Sequence, residues 1–114
     1  MREGDLNNPS HTDVCLWLDF YGQLLTERTR EVLELHYSED MSLSEIAENL
    51  GITRQAVHDR IRQGVLGLTD YENKLGLAER FRNQKTCIGE AIQALEAGRA
   101  GEALAKLQLL NRMI

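Results

Sequence analysis

The sequence is short of proline: Pro9 is the only one in 114 residues. Proline inside a helix removes a hydrogen bond and clashes with the preceding turn, so nothing after residue 9 interrupts helices in that way. Cysteine is also scarce. Cys15 and Cys87 stand far apart, with no CxxC pair and no His/Cys cluster at metal-ligand spacing. The reading is two reduced thiols packed as small apolar groups, with no metal. Long apolar runs are missing, and none approaches the roughly 20 residues that span a bilayer. The opening MREGDLNNPSHTD lacks the apolar centre of a signal peptide. A cytoplasmic chain with no membrane insertion is expected. A glycine-rich phosphate loop is missing too. His11, His36 and His58 are scattered over separate segments, without a nucleophile and base set. Neither enzyme chemistry nor a cofactor is expected. Basic charge is the last shortage: 13 Lys and Arg stand against 18 Asp and Glu, a net charge of −5. Phosphate neutralisation supplies most of the affinity for nucleic acid, so the overall balance works against tight DNA binding by one copy of the chain.

What is present favours helix. Ala, Leu, Glu, Arg and Gln dominate, and all are strong helix formers. An apolar fraction of 42% with 27% charged residues describes a folded domain. A chain of this length is one domain, or one small domain with an appendage, and hides roughly 60–70% of its unfolded surface. The expected fold is all-α.

Residues 1–12 are polar and read as a flexible tail. Thr12 or Asp13 is placed to cap a first helix, VCLWLDFYG. Its Val14, Leu16, Trp17, Leu18, Phe20 and Tyr21 form the most aromatic stretch of the chain. It should be largely buried, since a base-stacking surface would need basic companions. Thr26 opens a second helix, TERTREVLELHYS, with Glu27 in its first turn and Val32, Leu33, Leu35 and His36 facing inward. Ser38 to Met41 form its exit turn.

The stretch SLSEIAENLGITRQAVHDRIR, residues 42–62, carries the strongest signal. Ser42 and Glu45 make a capping box. Leu43, Ile46, Ala47 and Leu50 face inward. Gly51 ends the third helix in the left-handed conformation, Ile52 plugs the corner and Thr53 caps the fourth. Small Ala47 lets two helices cross closely. Ile46, Leu50, Ile52, Val57 and Ile61 supply a core that fixes the crossing. These are the requirements of a helix-turn-helix, the device that sets a helix in a DNA groove. With Val57 and Ile61 inward, the outer face begins with Thr53, Arg54, Gln55, His58, Asp59 and Arg62, with Arg60 at its flank. Arginine and glutamine read guanine and adenine edges. Thr53, Arg54, Gln55, His58, Arg60 and Arg62 are therefore the candidate nucleic-acid-binding residues. The same side chains could form a solvated face with pairs such as Asp59 with Arg62, and the sequence leaves both readings open. Charge is segregated: residues 53–62 carry three arginines and one aspartate, while residues 13–51 carry nine acidic side chains and two arginines.

The fourth helix has no early stop. Val57, Ile61, Val65, Leu68 and Leu75 follow one stripe to about residue 75, and Gly64, Gly67 and Gly76 weaken it without forbidding it. A fifth helix carries Leu77, Phe81, Ile88, Ile92 and Leu95. Gly98 and Gly101 bracket a turn, and Leu104, Leu107 and Leu110 stripe the last helix. The expected organisation is a tail (1–12), a helix-turn-helix domain (13–76) and a C-terminal helical hairpin (77–114). The hairpin would pack on the same domain or on a partner subunit, making a homodimer through the C-terminal helices.

The segment LDFYGQLLTERTREVLELHYSEDMSLSEIAENLGITRQAVHDRIR, continuing through DYENKLGLAERF, resembles the YlxM family of small bacterial helix-turn-helix proteins. The resemblance covers residues 16–81 and is weak over the last thirty. Its helix-turn-helix part is also similar to region 4 of bacterial sigma factors. It implies an all-helical fold and a gene lying beside those of the signal recognition particle GTPase and its receptor. It further implies a regulatory part in that protein-targeting pathway. The matching residues are Ser42, Glu45, Ile46, Ala47, Arg54, Gln55, Ala56, Val57, Asp59, Ile61 and Arg62, and no catalytic residue is among them. Three partners are expected: DNA, the particle's GTPase and its RNA. The function expected is a non-enzymatic regulator binding nucleic acid through the helix that starts at Thr53. The alternative is an accessory protein of the particle that binds its GTPase or RNA without DNA. For a basic protein partner the candidate surface is Glu31, Glu34, Glu39, Asp40, Glu45 and Glu48.

Overall fold

The computed structural model describes residues 9–114. Among them every regular element is helical: α1 (His11–Tyr21), α2 (Glu27–Leu33), α3 (Leu43–Leu50), α4 (Arg54–Leu75), α5 (Leu77–Glu96) and α6 (Ala100–Met113). A 3-10 turn, Gly22–Leu24, follows α1, and α2 runs into a π-helical turn, Glu34–Ser38. The chain divides into two compact units, one ending at Gly76 and one starting at Leu77.

In the first unit, α1 begins earlier than the sequence suggested. Ser10, not Thr12 or Asp13, is the cap. Its hydroxyl accepts from the Asp13 backbone N–H at 3.1 Å, and the Asp13 carboxylate accepts from the Ser10 N–H at 3.1 Å. Asp13 is thus the far half of a capping box and not its start. Residues 1–8 of the expected tail lie outside the described residues. Thr26 caps α2 as read, its hydroxyl accepting from the Thr29 N–H at 3.3 Å. The exit from α2 differs from the expected simple turn at Ser38. The helix widens, with the Glu39 N–H donating to the Glu34 carbonyl at 3.1 Å and the Met41 N–H to the Leu35 carbonyl at 3.0 Å. Asp40 completes it with φ +56°, a conformation that Asp tolerates better than most residues. The Cys15 thiol donates to the Tyr37 carbonyl in this turn at 3.6 Å. Burial, then Asp19 and Asp40, raise the pKa of that thiol and keep it protonated.

The core of this unit is Trp17, Tyr21, Leu33, Ile46 and Leu68, with Val14, Val32 and Val57, all fully buried. α4 lies against α1, α2 and α3. Its crossing with α2 is close at Gly64, where an added Cβ would sit 2.5 Å from Leu33 Cδ1 and 3.0 Å from Thr29 Cγ2. A glycine that weakens the helix locally is what lets the two backbones approach. Further along α4, the Tyr21 hydroxyl donates to Glu72 Oε1 at 2.6 Å in the interior. α4 ends at Gly76 with φ +62°. Two apolar side chains expected inside reach the surface: Phe20 is 39% and Leu75 50% exposed.

The second unit is the expected hairpin, but its contact line is different. Cys87, Ala91, Ala94 and Ala103 are buried, and the Cys87 thiol donates to the Lys106 carbonyl at 2.9 Å. Lys106 Nζ reaches Glu90 Oε1 across the hairpin at 3.2 Å. Ile88, Ile92, Leu95, Leu104 and Leu107, read as the packing stripes, are 42–56% exposed. Small side chains allow close helix contact, and the larger ones on neighbouring faces are left out. The turn uses Gly98, φ +78°, with the Arg99 N–H returning to the Ala94 carbonyl at 2.8 Å. Gly101 belongs to the first turn of α6 and not to the turn between the helices.

Candidate nucleic-acid interface

α3, the turn after it and the start of α4 form the helix-turn-helix. The Ser42 hydroxyl accepts from the Glu45 N–H at 3.1 Å, and Glu45 Oε1 accepts from the Ser42 N–H at 2.8 Å. Those bonds, the backbone N–H first, hold the Glu45 carboxyl below the ordinary carboxylate range. Gly51 adopts φ +68° and ends α3. The Ile52 N–H returns to the Ala47 carbonyl at 3.0 Å, and Thr53 Oγ1 accepts from the Ala56 N–H at 3.0 Å to start α4. Val32, Ile46, Ala47 and Val57 are buried together, with Leu35, Met41, Leu43, Leu50, Ile52 and Ile61 packed around them. His36 Nδ1–H donates to the Met41 carbonyl at 2.9 Å, pinning the corner that leads into α3. Sequence reasoning placed His36 on the inner face but had no signal for this bond.

The outer face of α4 is accessible. Thr53, Arg54, Gln55, His58, Asp59 and Arg62 are exposed, while Arg60 is half-buried at the flank. The expected pair of Asp59 with Arg62 is not what forms. Asp59 Oδ1 accepts from Gln55 Nε2 at 3.0 Å and lies 3.8 Å from His58 Nδ1. Gln55, four positions back, is turned about 40° from Asp59 around the helix, and Arg62, three positions on, about 60°. Among the described residues Arg54, Arg60 and Arg62 make no ion pair, so their guanidinium groups remain available to phosphate or base edges.

The acidic candidates stand differently. Glu31 lies 3.8 Å from Arg28, Glu34 lies 3.9 Å from Arg30, and Glu45 is committed to its capping box. Glu39, Asp40 and Glu48 are exposed. Glu31 and Glu34 are therefore partly neutralised by neighbouring arginines, while Glu45 keeps its charge within the capping box. Among the described residues no three His, Cys, Asp or Glu side chains stand together as metal ligands would, and no helix is long and apolar enough to cross a membrane.

Residues 11–107 match the family described as "Putative helix-turn-helix protein, YlxM / p13 like", UPF0122. A UPF0122 protein of Desulforamulus reducens is 48% identical over 90 residues, covering 79% of this chain and 77% of that relative. One from Acetivibrio thermocellus is 46% identical over 85 residues, covering 75% and 73%. A third, from Clostridium kluyveri, is 44% identical over 98 residues, covering 83% and 88%.

Proposed function

The chain belongs to the UPF0122 family of YlxM/p13-like helix-turn-helix proteins, and from that membership we propose that it is a non-enzymatic regulator of the cytoplasm that holds nucleic acid with the first turns of α4. One observation carries the proposal. Arg54, Gln55, His58 and Arg62 are exposed at the start of a helix whose angle is fixed by a buried helix-turn-helix core. Thr53 presents the N-terminal end of that helix, and Arg60 flanks it. Binding by one such helix is weak, because the unit that carries it is acidic. A two-fold dimer presents two helices and doubles the phosphate contacts.

The test is fluorescence anisotropy with labelled duplex DNA from upstream of the chain's own gene, at several salt concentrations. The expected slope of log affinity against log salt is about −0.9 per phosphate contacted. The Arg54→Ala/Arg62→Ala variant should bind at least about tenfold more weakly and lose roughly two units of that slope. Unchanged affinity in that variant sinks the reading.

A second reading draws on the acidic surface of residues 13–51. There the chain acts in the signal recognition particle pathway, with Glu39, Asp40 and Glu48, beside Glu31, Glu34 and Glu45, docking on the particle's GTPase. Particle RNA, offered in the same anisotropy assay, is the nucleic-acid form of this reading. If saturating protein leaves both GTP hydrolysis and particle RNA untouched, the second reading fails while the first can stand.

A further inference from the structure

We infer that α5 is a self-complementary dimerisation helix, on which Lys85, Gly89, Ile92 and Glu96 form a line that pairs antiparallel with the same line on a second copy of the chain. Spacings of four, three and four residues place the four positions along one side of a helix. All four are exposed, Ile92 by 52%. Their order is symmetric about its middle: charge, gap, knob, opposite charge. A two-fold axis between Gly89 and Ile92 sets each copy's Ile92 over the other's Gly89. The same axis sets each Lys85 against the other's Glu96. With a rise of 1.5 Å per residue, the two ion pairs fall about 8 Å either side of the axis. This is an isologous contact, in which one patch meets itself.

Gly89 is the observation that asks for a partner. It lies well inside α5, where glycine is disfavoured relative to alanine. Yet a Cβ there would meet nothing within 4 Å. At Gly64 a helix of the same chain fills the space that a side chain would need, and at Gly89 no neighbour among the described residues does. A second helix laid across Gly89 supplies one. Ile88, 42% exposed and beside this line, widens the apolar contact. Within the hairpin the helices bury Cys87, Ala91, Ala94 and Ala103, and Ile92 stays half exposed. Lys85, whose ammonium lies 5.7 Å from the Phe81 ring centroid, stands at one end of the line, and exposed Glu96 at the other.

The inference rests on the dimeric form of the reading above and not on DNA binding, so it is tested without DNA. Sedimentation equilibrium of the full chain, up to about 100 μM, should give a mass that rises from monomer to dimer. Ile92→Glu should be monomeric throughout. Lys85→Glu and Glu96→Lys should each weaken association roughly tenfold, because each sets like charges face to face twice per dimer. The double variant Lys85→Glu/Glu96→Lys should return to within about threefold of wild type, since its reversed charges again meet opposites. Helical circular dichroism checks that each variant is folded. A wild-type chain that stays monomeric overturns the proposal. So does an Ile92→Glu dimer, or a double variant as weak as the singles. A monomer that still binds DNA sinks this interface alone, and a dimer that ignores DNA sinks the regulator alone.

Discussion

The first unit buries Trp17, Tyr21, Leu33, Ile46 and Leu68; the second buries Cys87, Ala91, Ala94 and Ala103 and leaves Ile88, Ile92, Leu95, Leu104 and Leu107 substantially in solvent. Both are built from amphipathic helices joined by short turns. In the first, three helices converge on α4, so large side chains find cover on several sides. In the second, two helices meet along one line, and one line hides only small side chains. A two-helix unit therefore keeps its apolar surplus for something outside itself, while a four-helix unit spends it on its own stability and can leave polar side chains such as Arg54 and Arg62 outward for other work.

Truncating an apolar side chain in each unit tests this contrast most strongly. Ile46→Ala should lower unfolding free energy by about 2–5 kcal/mol, the cost of lost burial plus a cavity. Ile92→Ala should change it by no more than about 0.5 kcal/mol at protein concentrations where the chain is monomeric. Urea denaturation of both variants checks the pair, and equal losses would break the comparison. A smaller effect sharpens the account of the first unit. Tyr21→Phe removes the phenol that donates to buried Glu72 and should cost about 1–3 kcal/mol, read by the same method.

The smallest effect is expected at the exposed entrance to α3. The capping box depresses the Glu45 pKa in the folded chain. Its contribution is therefore complete above the unfolded value, near 4.3, and is lost as pH falls through the lower folded value. Glu45→Gln should melt below wild type at neutral pH. The two melting temperatures should converge in strong acid, where Glu45 is protonated in both states. A gap that persists unchanged at low pH would mean that the charge of the box plays no part.

The helix-turn-helix was legible because its determinants are local. Ser42 and Glu45, Gly51, and Thr53 each act within four residues of themselves, and each stands as read. The extent of α4 to about residue 75 was read from its apolar stripe, whereas Gly76, its left-handed cap, was read only as a weakening of the helix. The start of α1 was misplaced because Asp13 is a good cap by itself, and only Ser10 three residues earlier shows it to be half of a box. The hairpin's contact line was misread because apolar periodicity gives weight to Ile and Leu. Alanine carries little such weight, although it is what lets two helices close on each other. The bonds from Tyr21 to Glu72 and from His36 to Met41 were not legible. The first joins residues 51 positions apart, and the second depends on a helix widening that no residue pattern announced. On the candidate interface, the exposure of Arg54, Gln55, His58 and Arg62 followed from Val57 and Ile61 facing inward. Gln55 and Arg62 both stand at spacings that can meet Asp59, so the pattern alone did not say which would hold it.

Gly64 has a consequence for how this chain can vary. Every single-base change that alters a glycine codon's amino acid brings in a Cβ, and here that atom lands 2.5 Å from Leu33. The position therefore accepts a side chain only if the buried Leu33 shifts to make room for it. A saturation-mutagenesis scan should show residue 64 tolerating substitutions less as the side chain grows, with alanine the mildest change. It would do so at a place where sequence inspection sees only a weak spot in a helix.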